Sequence, residues 1–194
     1  MLIFGLFSFL SFIGALVEDD RLSWRAGRAL RPPGFLALII ALIGGIFGFY
    51  VAGYTGVLLT VTNRPFWSDT PLLGMLFVVS AASISAALMI LLANKSAWTM
   101  PGVIDLHRID AWVVALELLV LIAVLVSLGP VFRIWLSGWG LLLLLVIVFG
   151  MLAPLTLYWR RSLLGARNLA TSAVLVLLGG FLLRLVIVFS VRGV

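Results

Sequence analysis

Six apolar segments divide the chain, covering about residues 2–17, 35–61, 71–93, 111–128, 139–158 and 169–191. A bilayer's hydrocarbon core is crossed by roughly 20 helical residues. Within it a helix satisfies all its own backbone hydrogen bonds. The expected fold is therefore all-α: a polytopic bundle of six transmembrane spans forming one domain over residues 1–194. The first segment lacks a basic n-region and is followed by Glu18, Asp19 and Asp20. It reads as a span whose beginning has been cut away, not as a signal peptide.

Composition agrees with a membrane solvent. Hydrophobic residues make up 64% of the chain and charged residues 10%, with a mean hydropathy of +1.29. Soluble domains are roughly a quarter charged. The net charge of +6 does not point to nucleic acid, because the basic residues are spread over short loops and form no basic face. Their distribution orients the spans instead. Arg21, Arg25, Arg28, Arg31, Lys95, Arg108, Arg160, Arg161 and Arg167 fall on one side, and Arg64, Arg133 and Arg192 on the other. The richer side is expected to be cytoplasmic, which puts both termini outside. Trp67, Trp112, Trp139 and Trp159 lie near span ends, where tryptophan anchors the interface.

The ligand inventory is short. With no cysteine and one histidine, the chain lacks the ligands for an iron–sulfur cluster, a thiolate metal site or a bis-histidine haem. Any electron transfer through it needs an exchangeable ligand or a partner's redox centre.

The densest polar stretch near a span is "GYTGVLLTVTNRPFWSDTPLL", Gly53 to Leu73. Upstream, Gly44, Gly48, Ala52 and Gly56 recur every four residues and form a smooth ridge for a close helix neighbour. Phe47, Tyr50 and Tyr54 form an aromatic ridge on roughly the opposite side. Tyr54 lies about 10 Å from the outer end of its span, where a ring face and one hydroxyl suit a quinone carbonyl. The plainer reading is a packing or interface-belt tyrosine. Asn63, Arg64 and Asp69 form a turn stiffened by Pro65 and Pro71. It is either a well-made interfacial turn or the lip of a ligand pocket and docking surface. Asp69, Thr70 and Pro71 read as a helix start.

Two ionisable residues fall within spans, Glu117 in the fourth and Arg184 in the sixth. A charge there costs at least ~2.5 kcal/mol, so each is expected to face the bundle and find a partner. Asp110 shares a helix face with Glu117, and Ser80 and Ser83 add hydroxyls to such an interior. Either a proton or charge pathway or a buried structural pair accounts for them. His107, among Asp105, Arg108 and Asp110, is expected to be solvated in a cytoplasmic loop. Pro154 is expected to kink the fifth span near Gly150 and Ala153.

The Gly53–Leu73 stretch resembles the polysulfide reductase NrfD-type family of membrane subunits. So do "FVVSAASISAALM", "IDAWVVALELLVL", "GMLAPLTLYW" and "LLGGFLLRLVIVFSV". The resemblance implies a quinone-binding anchor (menaquinone or ubiquinone) without haem or cluster, in a bacterial or archaeal cytoplasmic membrane. It implies docking of an iron–sulfur protein at the outer face that serves a molybdopterin-type catalytic subunit. In the related alternative complex III, multihaem cytochromes join in. By resemblance Tyr54 matches the tyrosine that contacts the quinone, and Arg184 an intramembrane arginine associated with a proton path. Family members have eight or more spans, and the two absent here supply another part of the quinone site.

The expected function is therefore a quinone-linked oxidoreductase subunit. The alternatives are a small solute transporter or channel gated by Glu117 and Arg184, and a purely structural anchor. Orientation is testable: a cysteine introduced at Ser68 is expected to label from the outside only, and labelling from the cytoplasmic side would reverse the topology.

Overall fold

The computed structural model describes residues 1–18, 34–62, 67, 70–93, 101–128, 138–160 and 168–190. Among these the regular structure is helical: α1 (Leu2–Glu18), α2 (Phe35–Thr60), α3 (Leu72–Leu92), α4 (Pro101–Ser127), α5 (Gly138–Trp159) and α6 (Asn168–Phe189). Helices α2 to α6 are long and apolar enough to cross a membrane, whereas α1 is shorter, at 17 residues. The chain is a multi-pass membrane protein. Five spans of full length and one short apolar helix stand where six spans were expected. The largest departure is α4, which starts at Pro101, ten residues before the expected span. Proline at the first helical position lacks an N–H that would have no partner there. Asp105, His107, Arg108 and Asp110 are consequently helical.

The chain forms two compact units, Met1–Tyr54 and Thr55–Val194. In the first, α1 packs on the glycine ridge of α2. A Cβ added at Gly44 would lie 3.5 Å from the Phe7 Cβ, and one at Gly48 would lie 3.2 Å from the Phe4 ring. Tyr50 and Tyr54 stack with centroids 6.3 Å apart and planes 13° from parallel.

In the second unit, α3 lies along α4 and α6, and α5 lies against α6. Leu73, Leu76, Ile90, Val114, Leu121, Met151, Leu183 and Ile187 fill the space between them. The outer surface is equally apolar: Met89, Trp112, Leu119, Val126, Phe149 and Phe181 are exposed. Lipid is as apolar as leucine, so helix association depends on close packing and interhelical hydrogen bonds. Glycines supply the closeness. Gly150 and Gly179 meet backbone to backbone, and so do Gly56 and Gly74; a Cβ at Gly56, Gly150 or Gly179 would run into its partner's main chain.

Two junctions fix the helices' ends. The Thr70 hydroxyl accepts from the Leu72 N–H at 3.3 Å and from Ser127 Oγ at 2.8 Å, tying the start of α3 to the end of α4. Trp67 donates its indole N–H to the Ile187 carbonyl at 3.3 Å and packs on the core, so it anchors to protein, while Trp112 and Trp159 are exposed. The break expected at Pro154 takes the form of a π-helical stretch, Val146–Leu152, with the Ala153 N–H bonding the Val148 carbonyl. The wider turn precedes the proline, whose missing N–H would leave a carbonyl of the preceding turn without its α-helical donor. Beyond it, Leu157 and Tyr158 face inward.

Gly179→Val is expected to lower the thermal unfolding midpoint of the solubilised chain, at a cost of about 1–3 kcal/mol from overpacking. Gly45→Ala, at a position with nothing within 4 Å, is expected to lose none. Equal midpoints in the two variants would contradict the packing described.

Candidate functional site

Helix α4 carries three polar side chains into the bundle. His107, Asp110 and Glu117 are spaced three and seven residues apart and fall on the face that also buries Val114 and Leu121. His107 is 3% exposed, Asp110 0% and Glu117 3%. His107, expected in solvent, is therefore internal, and so is Asp110. Only Asp105 and Arg108 stay outside, as a loose exposed pair at 3.9 Å.

Both oxygens of Asp110 are occupied. Ser83 of α3 donates to Oδ1 at 3.2 Å, and the Tyr158 hydroxyl of α5 donates to Oδ2 at 2.5 Å. The Tyr158 ring lies against His107, with centroids 4.0 Å apart at 57°. His107 Nε2 is 2.9 Å from Ser172 Oγ of α6. Three neighbouring helices thus converge on one turn of α4.

Deeper in the bundle, Glu117 and Arg184 form a second centre. Arg184 Nη1 donates to Ser80 Oγ at 3.1 Å and to the Gly180 carbonyl at 3.2 Å, and Nη2 donates to the Phe77 carbonyl at 3.4 Å. The guanidinium also sits 5.5 Å from the centroid of the Phe77 ring. Arginine only donates, so Ser80 accepts from it and keeps its own proton to give. Ser80 and the Arg184 guanidinium both lie near enough to act on the Glu117 carboxyl. Glu117 Oε1 nevertheless has no hydrogen-bond partner. Gly180 makes room here, because a Cβ would push 2.5 Å from Ile84 Cδ1.

The two serines of α3, one turn apart, thus serve two carboxyls of α4. Asp110 is saturated by donors, while Glu117 keeps an open oxygen. Such a row of carboxyls, hydroxyls and an imidazole can hold and pass a proton, and the arginine supplies a fixed positive charge beside it. Among the described residues, no three His, Cys, Asp or Glu side chains group as a metal site.

Of the other residues singled out in the sequence, Tyr54 is 43% exposed and stacked on Tyr50. Asn63, Arg64 and Asp69 lie outside the described residues. Tyr158 and Ser172 were missed, because nothing in the sequence of their own helices points to a partner and only packing brings them to Asp110 and His107. The three-residue step from His107 to Asp110 was the available signal for placing the histidine inside.

Comparison with known proteins places the chain in a family. A family model described as polysulfide reductase, NrfD_2, matches residues 25–193. No curated protein matches the chain, and no solved structure does. The match takes in α2 to α6, including every residue of the buried polar row, and the chain belongs to the NrfD-type polysulfide reductase family.

Proposed function

We propose that the chain is the quinone-interacting membrane subunit of a multi-subunit oxidoreductase and that its buried row carries protons. The observation that carries this reading is Glu117. A carboxyl almost wholly enclosed in a membrane helix, with one oxygen unpartnered beside a Ser80–Arg184 pair, is expensive to keep in hydrocarbon. Family membership supplies the redox setting. Partner subunits, an iron–sulfur protein with a molybdopterin enzyme or a multihaem cytochrome, dock at the outer face. Both termini lie outside in a bacterial or archaeal cytoplasmic membrane, as the loop arginines favour.

The residues suit a quinone. Tyr54 offers a half-exposed ring stacked on Tyr50, a flat apolar face for a flat head group. Its hydroxyl donates to a carbonyl, and Asn63, Arg64 and Asp69 shape the mouth and the docking surface. When bound, a quinone supplies a two-electron, two-proton couple. The chain's own groups do the rest. Glu117 takes and gives a proton at Oε1. Ser80 links it to Arg184, whose charge steadies the carboxylate after the proton leaves. Asp110, held by Ser83 and Tyr158, forms the next station along α4.

Glu117→Gln keeps the side chain's shape and removes its proton. It is expected to slow proton-coupled quinol turnover of the assembled complex by about a hundredfold, in the range for lost acid–base catalysis. A full coupled rate would reduce Glu117 to a structural residue and undo the proposal. Tyr54→Phe removes one hydroxyl and is expected to raise the quinol KM about tenfold, for a lost hydrogen bond of about 1.4 kcal/mol. Wild-type KM and kcat in an assembled complex would remove Tyr54 from the quinone contact.

A further inference from the structure

The Gly150–Gly179 contact brings the backbones of α5 and α6 together but puts no side chain over the crossing. Larger residues flank it on the lipid side: Leu145 and Phe149 of α5, and Leu178 and Leu182 of α6, all exposed. The result is a trench of about 430 Å³ with the two glycines in its lining. All eleven residues that line it are apolar. Val146, Phe149 and Gly150 belong to the π-helical stretch, so the trench runs along the irregular part of α5.

The dimensions select an occupant. Along α6 the lining runs from Leu175 to Val186, which is about 16 Å at about 1.5 Å per residue. A single leaflet is about as deep, half of a hydrocarbon core of about 30 Å. Volume over length gives a mean cross-section of about 27 Å². Hydrocarbon atoms pack about 4–4.5 Å apart, so one extended chain fills about 16–20 Å². A helix with its side chains is about 10–12 Å across, or about 80–110 Å², and does not enter. A helix lying over the trench gains little either. Between axes about 8–10 Å apart the opening offers roughly 160 Å², against about 800 Å² per partner in a stable interface.

We infer that the trench is a binding site for one acyl chain of a membrane lipid. It lies in the half of the bilayer nearest the Gly138 start of α5 and the Phe189 end of α6. Its lining has no polar side chain, so it meets hydrocarbon and leaves the head group at the interface. A chain in the trench touches α5, α6 and the floor between them, whereas on a single exposed helix it touches one face. The gain is dispersion, small for each carbon contact and large in sum. Acyl chains are also the solvent at this depth, so mass action favours them over any minor apolar species. The bound chain completes the packing of the π-helical stretch, from which α5 continues to Tyr158.

Photolabelling tests this. The full protein is placed in nanodiscs of a phosphatidylcholine with a diazirine midway along one acyl chain, illuminated, and mapped by peptide mass spectrometry. Leu119 of α4 is the reference, because it is exposed to lipid and lies at the same depth. It is twelve residues past His107, which is level with Ser172, and α4 and α6 cross in the same direction. Attachment along the trench is expected to exceed that at Leu119 by about threefold or more, three protein faces against one. Leu182→Trp, which adds an indole to the trench, is expected to bring it down to the Leu119 level and leave Leu119 unchanged. Wild-type attachment equal to that at Leu119 would overturn the site and leave ordinary boundary lipid. Attachment below it would overturn the site in favour of a covering protein. Menaquinone added at a small fraction of the lipid distinguishes the source of the chain. Unchanged trench labelling keeps the acyl chain, and its loss would assign the trench to an isoprenoid tail and overturn the proposal. Should Leu182→Trp fail to fold, the wild-type ratio decides. No readout uses turnover, so the site stands or falls separately from the proton-carrying role of Glu117.

Discussion

Hydrocarbon supplies no hydrogen bonds, and that fact governs the buried polar groups of this bundle. A buried donor or acceptor left unpaired costs about 1–3 kcal/mol, and more when charged. Asp110 meets this constraint with two donors, and Arg184 meets it with Ser80, two carbonyls and the Phe77 ring. Glu117 Oε1 does not meet it, and neither does Asn168 Oδ1 at the start of α6. An acceptor left open beside satisfied neighbours is the observation on which the proposed proton exchange rests.

The polar contacts depend on glycine. Ser80 reaches Arg184 because α3 and α6 lie close, and they do so where Gly180 presents only hydrogen to Ile84. Gly150 and Gly179 bring α5 onto α6 in the same way. The π-helical stretch before Pro154 then carries the chain to Tyr158, which closes on Asp110. Packing by small residues and polar satisfaction are therefore one problem here. Widening a helix crossing would strand a carboxyl.

Much of this was legible in the sequence. Long apolar runs set the helices, because a span's length is imposed by the bilayer. The glycine spacing on α2 marked where α1 and α3 approach. The rarity of charge in spans marked Glu117 and Arg184. The start of α4 was misjudged because Asp105, His107, Arg108 and Asp110 together look like a solvated loop. Pro101 as a helix start and the His107–Asp110 spacing pointed the other way. Tyr158 and Ser172 were not legible, since only tertiary packing gives them their partners.

The central claim is that Glu117 exchanges a proton during turnover. Redox-induced difference infrared spectroscopy of the assembled complex observes this directly, as a change in a protonated-carboxyl C=O band when quinone is reduced and reoxidised. The account predicts such a band in the wild-type protein and its loss in Glu117→Gln. A difference spectrum with the same carboxyl bands in both proteins would contradict it.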